Sequence, residues 1–444
     1  MGGRAGTGSA GTGGNAGATG VSGAGGTNGA AGTNGAAGTS GKAGTNGAAG
    51  TNGAAGTTGK AGTNGAAGTN GAAGTNGAAG TTGKAGTNGA AGTVGSAGTT
   101  GTAGSSGGCA SPHASTSTRP QLTSADAANY TIAKYLAQMG TLGSLTTDNW
   151  DPTAGLGSAS SFTANLTVAA DGSGTHTTVQ AALNAATGSA RRYILVKPGT
   201  YREQVSYTGS TPVTLYGAST DATQVVIIHN MPASAGASQT FNARSNGLQI
   251  MNLTISNDFA TPASGTNIQA LALLTTGDKI VLQNVRLHGF QDTVELESPS
   301  ATTLVRVYIK DSYIEGDTDY IYGNANVVLD GSTIQYLSSR KGSSAGVTFA
   351  PSTSVANPLG FLAIRCNFTA DATAPTNSTH LGRSWDTSST TPTPNGQAVI
   401  RDSTMGAHIN KTAPWAAAAT SGRAYSATGN RFYEYCNSGP GAGP

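Results

Sequence analysis

Two short stretches set a carboxylate among aromatic side chains: Gly289-Phe290-Gln291-Asp292-Thr293 and Asp319-Tyr320-Ile321-Tyr322-Gly323. A carboxylate is costly to desolvate, so two acids placed this way either close turns or carry out chemistry. Each candidate also has a bland reading. Asp292 or Asp319 alone serves a turn more often than a reaction. Gln269, at a strand start, could belong to an amide ladder, and Arg383 and Trp385 taken singly are a surface cation and a packing residue. Other chemistries lack their parts: no G-x-S-x-G elbow offers a serine nucleophile. The three cysteines and six histidines show no metal-ligand spacing.

A repeat positions these residues. From Tyr193-Ile194-Leu195-Val196-Lys197-Pro198-Gly199 onward, the chain reads as short strands broken by Gly, Asn, Asp and Ser. A local grammar recurs: an apolar residue, one spacer, a small or turn-forming residue, two spacers, then another apolar residue. It is centred on Asn252, Asn284, Asp311, Gly331 and Asp402, with a poorer match centred on Cys366. Successive centres lie 32, 27, 20, 35 and 36 residues apart, a period whose loops vary while its core does not. This predicts an all-β solenoid, a parallel β-helix whose coils bury their inward residues against one another. A β-sandwich is the alternative, and it would show more Asn-Gly or Asp-Gly hairpin turns after residue 150. Two short helices are expected ahead of the coils. One spans 122–136, with Ser124 as N-cap and Ala128, Ile132, Tyr135 and Leu136 on one face; the other covers about two turns over 179–186.

Composition separates a tail from this domain. Of 69 glycines, 34 fall on every third position from Gly8 to Gly107. That lattice meets the steric requirement of a collagen triple helix, yet the first proline is Pro112, so nothing pre-sets polyproline II geometry. A flexible linker is favoured over a tail-mediated trimer. The segment carries only Arg4, Lys42, Lys60 and Lys84, which leaves 19 cations against 20 acids elsewhere. A nucleic-acid partner is therefore not expected, and no apolar run approaches the ~18 residues of a membrane span. The expected organisation is a Gly-rich tail over 1–108, a hinge and small helical cap over 109–165, and a β-helix over 166–444. The cysteines allow one disulfide at most; buried thiols are expected, with a Cys366–Cys436 pair left open. The start, Met1-Gly2-Gly3-Arg4, lacks the apolar core of a secretory signal, so export would use another route or a different N-terminus.

Taken in order, seven segments resemble the landmarks of the pectin methylesterases. They are Val168 to Ala186, Ile194 to Glu203, Gln269 to Leu273, Gly289 to Thr293, Asp319 to Gly323, Leu381 to Trp385 and Glu434 to Gly441. The resemblance implies a right-handed parallel β-helix, a monomeric and cofactor-free catalytic domain, secretion, and pectin (homogalacturonan) as partner. It implies that Asp319 attacks the C6 methyl-ester carbonyl of a galacturonate unit and that Asp292 protonates the departing methoxide and then activates water. Gln269 and Gln291 would donate to the oxyanion, a role worth ~3 to 4 kcal/mol. Arg383 would hold Asp319 ionised, and Trp385, Tyr322 and Met405 would line the substrate groove. Such an exchange needs one acid anionic and the other protonated; Arg383 would do the first, burial beside Phe290 and the charge of Asp319 the second.

Several positions depart from the family pattern. Val294-Glu295 replaces Leu-Tyr after Gln-Asp-Thr, setting a charge where an aromatic groove wall is usual and disfavouring de-esterified galacturonate. The 27-residue interval from Asp292 to Asp319 is longer than usual, with the excess assigned to Glu297 to Thr303, where a loop could reshape one groove edge. Ser384 stands where Pro is frequent, and Asp317 adds an acid before Asp319. The leading expectation is a pectin methylesterase. The alternatives are a β-helix that binds polysaccharide without turnover and an esterase or thioesterase on another substrate.

Overall fold

A computed structural model describes residues 40–42, 58–60, 109, 113–154, 156–259, 269–341, 345–386 and 394–443. The chain divides into two units, residues 1–110 and 111–444. In the first, Ser40–Lys42 and Thr58–Lys60 pair as parallel strands. The choice between linker and trimer for residues 1–108 otherwise lies outside the described residues.

The second unit is a right-handed parallel β-helix. One ladder runs through Arg192–Val196, Val213–Gly217, Gln249–Asn257, Ile280–His288, Arg306–Lys310, Asn326–Asp330, Phe361–Ile364, Gln397–Arg401 and Arg431–Tyr435. A second runs through Val205–Tyr207, Phe241–Ala243, Leu273–Thr275, Val294–Leu296, Thr318–Gly323, Gly346–Pro351 and Thr379–Gly382. Neighbours within both ladders are parallel.

The repeat grammar has a conformational cause. Asn252, Asn284, Asp311, Arg365, Asp402 and Cys436 have φ between 47° and 56°, and Gly331 has φ 63°. A left-handed residue turns the strand without contributing an inward side chain, so the inward positions fall two before, one after and three after it. In one coil these are Ile250, Leu253 and Ile255, in the next Leu282, Val285 and Leu287, all fully buried. The coil centred by the grammar on Cys366 turns one residue earlier, because Asp330 pairs with Ile364 and sets Arg365 opposite Gly331. Cys366 then takes the inward position one after the corner, which Ser312, Ser332 and Ser403 hold in neighbouring coils. These hydroxyls accept backbone N–H groups from the coil before: Ser312 Oγ from Val285 at 3.1 Å, Ser332 Oγ from Ser312 at 3.1 Å, and Ser403 Oγ from Cys366 at 3.0 Å. Met405 holds the third inward position. It is fully buried in the main core, with Sδ 3.3 Å from Arg119 Nη2, so it does not face the groove as expected.

The segment before the coils is more ordered than a hinge. Two helices, Ser124–Ala127 and Ile132–Ala137, replace the single one expected, because Thr123 and Thr131 each cap a new start through their hydroxyls; Ser124 is not the cap. Tyr135 and Leu136 pack against Val281, Tyr308, Val328, Leu362 and Val399 on the outer face of the first ladder. Arg119 is buried in an ion pair with Glu434 at 2.7 Å, which fixes this strap to the last coil. The stretch after these helices forms a hairpin, Gln138–Thr141 with Ser144–Thr147. Thr303–Leu304 adds to it as a third antiparallel strand, so the long interval docks the strap. The helix Val179–Ala185 is as expected; Thr178 caps it and Glu203 accepts from the backbone of Val179 and Gln180 at 2.8 and 2.9 Å. Cys366 is a buried free thiol, whereas Cys109 and Cys436 are disulfide-bonded, so the pairing left open in the sequence does not form and only one thiol is incidental.

Asn284 donates to Asn252 Oδ1 at 2.9 Å and to the Thr220 carbonyl at 2.7 Å. Asn284→Ala therefore loses both bonds and meets the left-handed penalty, lowering stability by about 1–3 kcal/mol in urea unfolding. Asn284→Gly loses less, and Cys366→Ser stays within ~1 kcal/mol of wild type.

Candidate active site

The site lies where the second ladder begins its central strands. Gln269, Gln291 and Thr318 are bridge partners on three successive coils. The same 27-residue offset that pairs Gln291 with Thr318 and Val294 with Ile321 sets Asp292 beside Asp319 on adjacent coils, whose backbones run about 4.8 Å apart. Both acids are left-handed, with φ 61° at Asp292 and 47° at Asp319. The strand holding Asp319 is irregular, its register shifting between Thr318 and Ile321. An ordinary strand would send both side chains inward, since each lies two residues before a buried register partner, Val294 or Ile321. Here the positive-φ kinks leave both at the groove while keeping them 8% and 9% exposed.

Arg383 comes from two coils further on, just past the strand Thr379–Gly382, and reaches across Gly346–Pro351. Its Nε and Nη2 donate to the two oxygens of Asp319 at 2.9 and 2.6 Å. Such a fork fixes the carboxylate in plane as well as pairing its charge. Among the described residues, Asp292 has no such partner. Burial, then the charges of Asp319 and Glu295, push its carboxyl up to about 8, against a hydrogen bond from Gln269 and the charge of Arg383. Expectation and structure agree on burial and Asp319, but the aromatic neighbour has another job. The Phe290 ring lies 4.6 Å under the guanidinium of Arg340. Chemically, the arrangement offers an aligned carboxylate, an acid neutral at pH 7 and the amide of Gln269 hydrogen-bonded to that acid.

Outward residues of the ladder form the rest of the groove. Leu274, Glu295, Tyr322 and Ala350 are register neighbours. Leu271, Tyr322 and Ala350 make a small apolar cluster on which Trp385 packs, its ring edge-on to Tyr322 at 5.4 Å. Burial and the acid of Glu295 raise the Tyr322 hydroxyl. Glu295 is pushed up to about 7 by burial and by Glu297, while a hydrogen bond from Tyr322 works the other way. Of the expected site residues, Asp292, Asp319, Gln269, Gln291, Arg383, Trp385 and Tyr322 converge here, and Met405 does not.

Other contributors carry little or no signal in the sequence. Asp386 is buried and accepts from Ser384 Oγ at 2.9 Å and from Arg423 Nε and Nη2 at 3.0 Å each. It thereby anchors the Arg383-Ser384-Trp385 turn, and Ser384 has its own bond to make where Pro is frequent. Asp317, Arg340 and Lys341 also lie against the site. Their positions next to Asp319, or in a loop without a motif, gave only the first a signal.

Comparison with known proteins agrees with this geometry. A family model described as Pectinesterase matches residues 165–444, and one described as Collagen triple helix repeat matches residues 50–114. The pectinesterase of Ralstonia solanacearum is 46% identical over 368 residues, covering 74% of this chain and 93% of its own. The putative acyl-CoA thioester hydrolase YbhC of Escherichia coli is 32% identical over 400 residues, covering 74% and 89%. The structure of rice weevil pectin methyl esterase superposes with a TM-score of 0.61 at 29% identity, covering 74% of this chain and 99% of that one. With its ordered landmarks, parallel coils and paired carboxyls, this chain belongs to the pectinesterase family.

Proposed function

We propose that the protein hydrolyses C6 methyl esters of homogalacturonan, releasing methanol and leaving pectate. The observation that carries this reading is the contrast between two adjacent carboxyls, one held by a bidentate arginine and one pushed up to about 8. An Asp319 oxygen attacks the C6 carbonyl carbon, and the amides of Gln269 and Gln291 donate to the oxyanion that forms. The C6–OMe bond then breaks, with the proton of Asp292 passing to the leaving oxygen. Asp292, now a carboxylate, takes a proton from water as its oxygen attacks the acyl carbon; the Asp319–C6 bond breaks and both acids return to their starting states. Trp385 and Tyr322 supply the apolar ledge for the sugar ring and the ester methyl. The putative acyl-CoA thioester hydrolase YbhC, 32% identical, makes a thioester substrate the second reading.

Above about pH 7, where Glu295 loses its proton, Glu295 and Glu297 narrow the preference to highly esterified stretches, since a carboxylate on this wall repels a free galacturonate. The coils alone supply the catalytic set, from Gln269 to Trp385, so the β-helix acts as a monomer and the tail as a spacer. Disulfide bonding of Cys109 and of Cys436 fits work outside the cell. Among the described residues, no helix is long and apolar enough to cross a membrane.

The direct test is methanol release from highly methylated pectin. Wild type is expected to be active, and Asp319→Ala and Asp292→Ala to lose about 10²- to 10⁴-fold in kcat; turnover of simple thioesters but not pectin overturns the reading. Activity falls above about pH 8, where Asp292 loses its proton. The same shift affects stability. Native Asp292 keeps its proton to about 8 while an unfolded aspartate ionises near 4, so the native state binds more protons in that window and loses stability as pH rises through it. Asp292→Asn removes this loss, and its Tm gain over wild type should grow between pH 4 and 8. Glu295→Gln is expected to raise kcat/KM on low-methyl relative to high-methyl pectin by roughly threefold to tenfold, equivalent to about 1 kcal/mol. Deleting residues 1–108 should leave kcat/KM on soluble pectin unchanged and sedimentation monomeric; loss of a trimer on deletion contradicts the spacer role.

A further inference from the structure

One arginine touches the chain two residues before each site carboxyl. Arg340 lays its guanidinium over the ring of Phe290, 4.6 Å from the centroid. Its Nε and Nη2 donate to the carboxylate of Asp317 at 2.8 and 3.2 Å, and this pair is sealed from water, at 4% and 1% side-chain exposure. Phe290 precedes Asp292, and Asp317 precedes Asp319, by the same two residues. The backbone repeats the join, since the Asp317 N–H donates to the Phe290 carbonyl at 2.9 Å. The next residue extends the grip: Lys341 Nζ donates to Thr318 Oγ1 at 2.8 Å. The Arg340–Lys341 turn is itself held from the following coil, where Asp371 accepts from Ser338 N at 2.5 Å and from Ser338 Oγ at 2.7 Å.

We infer that Arg340, paired with Asp317, is a positioning residue that holds the two site carboxyls in register with each other; the inference rests on the ester-hydrolase reading of the same site. The two turns it joins are those with φ 61° and 47° at Asp292 and Asp319, and the second is a break in strand register. A left-handed aspartate persists only when its surroundings over-determine it. The ladder cannot do so where its register shifts, and Arg383 holds only the carboxylate end of Asp319. Arg340 and Lys341 hold the two residues immediately before it. Without that clamp the Asp319 turn relaxes toward an ordinary strand, and the nucleophile moves relative to both Arg383 and Asp292. Substrate contacts on the Trp385–Tyr322 ledge stay where they are. The consequence is a defect in the chemical step rather than in binding, because displacements on the order of 1 Å cost about 10²-fold in rate.

The test compares Arg340→Met, Arg340→Lys and the double variant Asp317→Asn/Arg340→Met in the full chain, with Asp319→Ala as reference. Methanol release is measured alongside thermal unfolding. Arg340→Met alone leaves a buried, unpaired Asp317, so lost activity with lost folding would not separate position from stability. The double variant removes both charges and restores folding. The inference expects a folded double variant with kcat down about 10- to 100-fold and KM within about threefold of wild type, and partial recovery of kcat in Arg340→Lys. A folded double variant with wild-type kcat overturns it, as does a loss carried by KM alone. If Asp319→Ala is as active as wild type, the ester-hydrolase reading has failed instead, and the two failures are distinct.

Discussion

A left-handed backbone conformation costs an L residue on the order of 1 kcal/mol, and from Asn252 onward this chain accepts it at the same corner of successive coils. Asn252, Asn284, Asp311, Arg365, Asp402 and Cys436 do so along the corner of the solenoid, with Gly331 in the same column. Each corner resets the inward and outward alternation, and so permits apolar residues to face one continuous core on both sides of the turn. The same device, used at Asp292 and Asp319, produces the site. The corners that stack the coils and the kinks that present the acids are one structural idea applied on different edges. This explains why a reaction centre can be assembled from residues 269 to 385 without a dedicated domain.

Adjacency then creates an electrostatic problem that the surrounding coils resolve unequally. Two carboxyls on neighbouring strands cannot both ionise cheaply in a water-poor site. Arg383 commits itself to Asp319 through both of its oxygens, and Asp292, buried and facing further acids, keeps its proton to about pH 8. The asymmetry comes from coil spacing: the guanidinium that spans one intervening strand meets the nearer carboxyl squarely. Glu295 deepens it, adding a second negative neighbour to Asp292 on the outward face of the same strand. Stability is given up for a neutral acid at working pH, a compromise typical of sites under functional constraint.

Much of this was legible in the sequence because both coil and site repeat a pattern. The grammar around Asn252, Asn284, Asp311, Gly331 and Asp402 located the corners, since Asn, Asp and Gly tolerate positive φ; Arg365 broke the rule, because its residue type carries no such signal and its position is imposed by strand pairing on both sides. Met405 was misplaced for a related reason: an apolar residue three past a corner points inward whatever its motif neighbourhood. Order in the strap was missed where propensity is weak. Its hairpin depends on Thr303–Leu304 and its anchor on the buried Arg119–Glu434 pair, contacts spanning more than a hundred residues that no local window contains. Arg340 was invisible for the same reason, as nothing near it in the chain announces that it meets Phe290 and Asp317.

Two adjacent carboxyls meet different fates: Arg383 grips Asp319 through both oxygens, while burial and neighbouring acids keep the proton on Asp292. Difference infrared spectroscopy of carboxyl groups across a pH titration, with the Asp292→Asn protein subtracted, tests this contrast most directly. In wild type a protonated carboxyl band is expected to persist from pH 5 to about 8 and to be absent from Asp292→Asn. A wild-type spectrum in which Asp292 is already ionised at pH 5 would contradict it.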